Sequence, residues 1–122
     1  MKAHAAAIAT SLMLGACMST PADVREQGHR FTVTLASTPM AGAACIARNA
    51  ENRGGSGTIA TMRPGAVDGE FEVIIRQTAI SPTVLLVATV APAAQGSRAD
   101  IAVRTDLMFT TPEAYARQHI IG

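Results

Sequence analysis

The chain has 122 residues, 48% of them apolar and 16% charged, which fits one small domain and excludes a multidomain enzyme or a long disordered chain. Ten Lys and Arg stand against nine Asp and Glu, so the basic footprint that draws a protein onto nucleic acid is missing, and no nucleic-acid partner is expected. Aromatic residues make up only 3%, with no Trp, which leaves little material for base stacking or aromatic cages.

The first element is a short apolar run. Lys2 and His4 precede Ala5 to Leu14, a stretch that carries Ile8, Leu12 and Met13. This is the pattern of a signal peptide, and the run is roughly half the ~20 apolar residues that a bilayer span requires. It ends in Leu14-Gly15-Ala16-Cys17. A branched apolar residue and two small ones ahead of a cysteine resemble the lipobox of bacterial lipoproteins at all four positions, and the resemblance covers residues 1 to 18. The residue types suit the chemistry, because a thiol is the side chain best able to accept a diacylglycerol group as a thioether, and small residues before it enter a peptidase site without steric conflict.

The resemblance implies cleavage after Ala16, lipid on Cys17 and acylation of the new amino group. Two chains, at roughly 0.8 kcal/mol per buried CH₂, anchor stably. In that family an Asp just after the cysteine retains the protein at the inner membrane; here the position is Met18, which implies an outer-membrane anchor facing the periplasm. The plainer reading is an ordinary secretory signal cut at Ala16 or near Thr20, with Cys17 incidental. Four adjacent matches at the right distance from a charged start favour the lipoprotein.

Three segments follow from this: a signal peptide at 1–16, a lipidated tether at 17–28 and a single domain at 29–122. Residues 18 to 28 lack apolar periodicity and contain Pro21 and Gly28, so they read as an arm that would hold the domain roughly 30 Å from the lipid surface. The chain left after cleavage, 17–122, has nine Arg, no Lys and nine acidic residues, and its side chains sum to zero charge. With Cys17 lipidated, Cys45 has no partner for an internal disulfide. Free Cys is among the most often buried residue types, so Cys45 is expected inside, the alternative being a crosslink to another chain.

In the domain, Phe31, Val33 and Leu35 alternate with Thr32 and Thr34, the period of a strand with one buried face. Ser37-Thr38-Pro39 caps a helix from about Pro39 to Asn52, with Met40, Ala43, Ile46, Ala47 and Ala50 on its apolar side. Gly54-Gly55-Ser56-Gly57 ends it. That loop lacks the lysine and hydroxyl pair of a phosphate-binding loop and follows a helix instead of preceding one, so it reads as a connector. Residues 58 to 63 form a short strand that pairs as a hairpin with 70 to 76, across Pro64-Gly65 and Asp68-Gly69. The nearly continuous apolar run from Thr83 to Ala91 is expected to be a central strand covered on both faces. Ala99, Ile101 and Val103 mark a further strand, and Thr111-Pro112-Glu113 opens a short helix through His119 carrying Tyr115. The order predicts an α+β domain: a small antiparallel sheet of four to five strands, one main helix packed on one face and a short C-terminal helix.

Candidate chemistry is thin. A nucleophile would pair Cys45 with His29 or His119 and Asp106, but Ala-Ala-Cys-Ile-Ala has no local signature of a thiol nucleophile. A metal would draw on His29, His119, Met40, Met62 and Met108, which share no ligand spacing. Glu70 and Glu72 lie on one strand face as a carboxylate pair, yet with Arg76 beside them they read as a solvated charge ladder. No catalytic residue, metal, cofactor or disulfide is expected. The sequence therefore points to a non-enzymatic envelope module bound to the membrane by its lipid and to another envelope protein by its domain. The alternative is a small inhibitor of a periplasmic or exogenous hydrolase, a protease or a lysozyme, for which the loops Gly54 to Gly57 and Ala93 to Ser97 offer little tip chemistry.

Overall fold

The computed structural model describes residues 20–79, 82–106 and 110–121. Three Thr-Pro pairs open the α-helices among them: α1 (Pro21–Gln27), α2 (Pro39–Arg53) and α3 (Pro112–Ala116), the last continued by a π-helical turn at Arg117–Ile121. The hydroxyls of Thr20, Thr38 and Thr111 accept from the backbone N–H groups of Asp23, Ala41 and Ala114 at 3.2, 3.3 and 3.2 Å. Each satisfies a donor the helix itself leaves free, while the proline fills the first turn, where no N–H is needed.

The strands are β1 (His29–Leu35), β2 (Thr58–Pro64), β3 (Phe71–Gln77), β4 (Thr83–Ala93) and β5 (Gly96–Val103), in one sheet of order β1-β5-β4-β3-β2. Every neighbouring pair is antiparallel. The edge strands β1 and β2 therefore run in the same direction, and α2, which connects them, crosses the whole sheet face. This is the α+β architecture expected, with the five strands, the main helix on one face and the short C-terminal helix. A positive φ of 97° at Gly96 closes the β4–β5 turn, and a side chain there would collide with the Leu35 carbonyl of β1.

Two apolar layers hold the sheet. On one face Ala43, Ile46 and Ala50 of α2, with Ala116 and Ile120, meet Val73, Ile75, Leu86, Ala88, Ala99, Ile101 and Val103. On the other, Val24 of α1 meets Ile74, Val84, Val87 and Ala102. β4 is thus the central strand covered on both faces. Its register skips Leu85, since Ile75 pairs with Leu86 but Arg76 with Val84. This bulge turns Val84 to the α1 face and leaves Leu85 against the α2 layer, which an unbroken apolar run cannot reveal.

The expected tether at 17–28 is corrected over most of its length. Residues Pro21–Gln27 are helical, and Val24 is 0% exposed. One buried Val contributes roughly 1.5–3 kcal/mol to docking this seven-residue helix, beside its Thr20 cap and the pairing of Arg25 with Glu72. The start of that tether, the lipobox residues Leu14, Gly15, Ala16 and Cys17, and the signal segment lie outside the described residues. A second correction concerns α2: Met40, placed on its apolar side from the sequence, is 58% exposed, because the buried stripe runs through Gly42, Ala43, Ile46 and Ala50.

Candidate functional site

The face that carries α1 is polar where that helix ends. The register sets Thr32, Asp100, Thr89, Glu72 and Arg63 side by side across all five strands. Glu72 is only 8% exposed and is gripped from both sides. Arg63 reaches one carboxylate oxygen at 2.7 Å through Nε, and Arg25 of α1 pairs with the other. The expected solvated ladder of Glu70, Glu72 and Arg76 is therefore corrected: the partners of Glu72 are Arg63 and Arg25, its carboxylate is largely buried beneath them, and Glu70 sits before the strand against Gly65. Satisfying both oxygens is what makes a nearly buried carboxylate tolerable.

Beside this clamp lies a hollow of about 300 Å³ lined by Arg25, Arg30, Thr32, Thr89 and Asp100. Thr32 Oγ1 donates to Asp100 at 2.9 Å, and Arg98 Nε stands 3.6 Å from the same carboxylate. Arg30 is exposed and has no ion pair among the described residues. The hollow can offer hydrogen bonds to a polar group, and its lining carries two arginines against one aspartate.

A second hollow, of about 200 Å³ and apolar, opens between the end of β1, α2 and the C-terminal turn, with Leu35, Gly42, Cys45, Ile46, Asn49 and Ile120 on its walls. Cys45 is exposed here, which corrects the expected burial. It lies off the buried stripe of α2, next to Asn49, whose Nδ2 donates to Cys45 Sγ at 3.7 Å and to the Ile120 carbonyl at 3.0 Å. Below it, the Ser97 hydroxyl is buried with no hydrogen-bond partner among the described residues. A side chain at Gly42 would stand 3.3 Å from the hydroxyl oxygens of Ser37 and Ser97 and 2.9 Å from the end of the Leu35 side chain, so α2 packs closely on β1 and β5 at this glycine.

The residues singled out for chemistry do not converge. His29 lies 3.9 Å from Glu113. His119 stacks on Tyr115 at 4.8 Å with Nδ1 3.1 Å from the Tyr115 carbonyl. Asp106 accepts from Arg104 at 2.7 and 2.6 Å; these bonds hold its carboxyl below the ordinary range and raise the guanidinium further. Met62 packs half-buried against the main core, and Met108 lies outside the described residues. Among the described residues no three His, Cys, Asp or Glu side chains gather as a metal site. None of their helices is long and apolar enough to cross a membrane. Sequence reasoning missed Arg25, Arg63 and Thr89, whose positions depend on register and on the docking of α1. No protein-family model, curated protein or solved structure matches the chain.

Proposed function

We propose that this chain is an envelope lipoprotein anchored through Cys17, facing the periplasm from the outer membrane, and that its domain works by contact with another protein. The observation that carries the reading is Leu14-Gly15-Ala16-Cys17 behind Lys2 and a short apolar run. The domain supplies support of a different kind. Its helical cap is already formed at Thr20, only three residues after Cys17, and three extended residues span at most about 11 Å. An anchor so close to the fold would hold one face of the domain at the bilayer surface and raise its effective concentration there for any partner in the same layer. The role proposed is contact without catalysis.

Labelling of cells with a palmitate analogue tests the reading. The wild-type protein is expected to carry the label and to sediment with membranes. Cys17→Ser should lose the label and enter the soluble periplasmic fraction. If Cys17→Ser still sediments with membranes, or if the processed wild-type chain begins with an unmodified thiol, the reading fails.

A further inference from the structure

We infer that β1 is an open sheet edge that pairs antiparallel with β1 of a second copy, centred on Thr32. This deepens the contact role proposed above by naming the partner, and it holds whether or not Cys17 carries lipid.

Ladder bonds alternate along a strand, so a few bonds at the ends fix the phase of the whole sheet. Arg104 N–H donates to the Leu85 carbonyl at 2.9 Å, just beyond the pair Leu86–Val103. In step with it, Ala102, Asp100 and Arg98 exchange bonds with β4. The groups of Val103, Ile101, Ala99 and Ser97 then face β1 and meet His29, Phe31, Val33 and Leu35. The N–H and C=O groups of Arg30, Thr32 and Thr34 point out of the sheet. These three residues are exposed, and the strand contains no proline and no bulge. Such an edge is a template for another strand.

On the opposite edge three of the four outward positions have lost a free N–H. Gly65 N–H donates to Glu70 O at 2.7 Å and Thr78 N–H to Gly57 O at 2.9 Å, which sets Thr58, Ala60, Met62 and Pro64 facing outward on β2. Thr58 N–H is taken by the Gly55 carbonyl at 3.3 Å and Ala60 N–H by Glu51 Oε2 at 3.2 Å. Pro64 has no N–H at all. Protection of one edge only leaves the other as the place for association.

The sequence of β1 fits itself. With Thr32 opposite Thr32 of the second copy, Arg30 meets Thr34 and Thr34 meets Arg30, so all three outward residues form bonded pairs, two bonds each. A slide by two residues in either direction leaves one of them unpaired. In the centred register no like charges oppose one another, because each Arg30 faces a threonine. On the α2 face Phe31 comes opposite Val33 of the second copy, an aromatic and a β-branched residue in the closely spaced kind of pair. Phe31, Val33 and Leu35 are half-buried in one copy, and a second strand would extend their apolar stripe across the junction.

The test uses the full chain purified in detergent with Cys45→Ser as background, and in parallel with Cys17→Ser added, so that no other thiol can react. Sedimentation should give a dimer of the chain. Thr32→Cys in that background should crosslink two copies with a short bismaleimide, whereas Thr61→Cys, exposed on β2, should not. The amides of Arg30, Thr32 and Thr34 should become protected from exchange as protein concentration rises. Thr32→Pro removes two ladder bonds from the symmetric pair and should weaken association by about tenfold or more. A monomer throughout the soluble range overturns the proposal. So does a dimer in which Thr61→Cys crosslinks as well as Thr32→Cys, or protection of the β1 amides that appears only when a different envelope protein is added.

Discussion

The two edges of the sheet differ in how their outward backbone groups are treated. Along β2, the turn at Gly55, the Glu51 side chain of α2 and Pro64 each remove one position from use. Along β1, Arg30, Thr32 and Thr34 keep theirs among the described residues. The contrast teaches that exposure of a strand is a poor measure of its availability, since both strands carry exposed residues and, among the described residues, only β1 offers an uninterrupted row of donors and acceptors.

The largest expected effect removes the support of the open edge. Ile101 is buried on β5 directly opposite Phe31, and Ile101→Ala should cost about 3 kcal/mol by urea denaturation. A loss below about 1 kcal/mol would mean that β1 rests on something other than this layer. Next comes the clamp on the closed side. Glu72→Gln leaves Arg25 and Arg63 without their carboxylate, and because both guanidiniums are partly in solvent the cost should be roughly 1–2 kcal/mol. Smaller still is the change that makes the two edges alike: Glu51→Ala should lower stability by less than about 1 kcal/mol, yet it frees Ala60 N–H and should speed its amide exchange severalfold. Unchanged exchange at Ala60 would show that the carboxylate does not close this edge.

The last effect concerns pH. Burial pushes the phenol of Tyr115, the single tyrosine, above its ordinary value near 10. Its folded-state value is raised, so the stability this adds is complete below the unfolded value and is lost as pH rises through the folded one. Absorbance at the phenolate band should therefore change at higher pH in the native protein than in urea. Coincident titration curves would place Tyr115 in solvent.

Much of this fold was legible because local signals agreed with the global pattern. Alternation gave β1, β3 and β5, and Thr38-Pro39 and Thr111-Pro112 gave two helix starts. Thr20-Pro21 has the same grammar but is followed by a single large apolar residue, Val24, so periodicity had nothing to repeat and α1 read as tether. Whether one Val suffices depends on a matching depression among Ile74, Val84, Val87 and Ala102, which exists only once the strands are paired. The Glu72 clamp was hidden for a related reason, since Arg25 lies 47 residues away in sequence. Cys45 was judged by residue type, whereas its position one step off the buried stripe of α2 decided its exposure. The open edge could not be read from β1 alone, because the phase of its hydrogen bonds is inherited from β4 and β5.

The docking of α1 also bears on how the molecule would carry mechanical load. Traction at the N-terminal end acts first on a helix fastened mid-sheet by Val24 and by the guanidinium of Arg25 on Glu72, before it reaches Gly28 and the outermost strand. Force then enters as shear spread over an apolar contact and an ion pair, and β1 is spared the peeling, bond after bond, that a slack leader would impose.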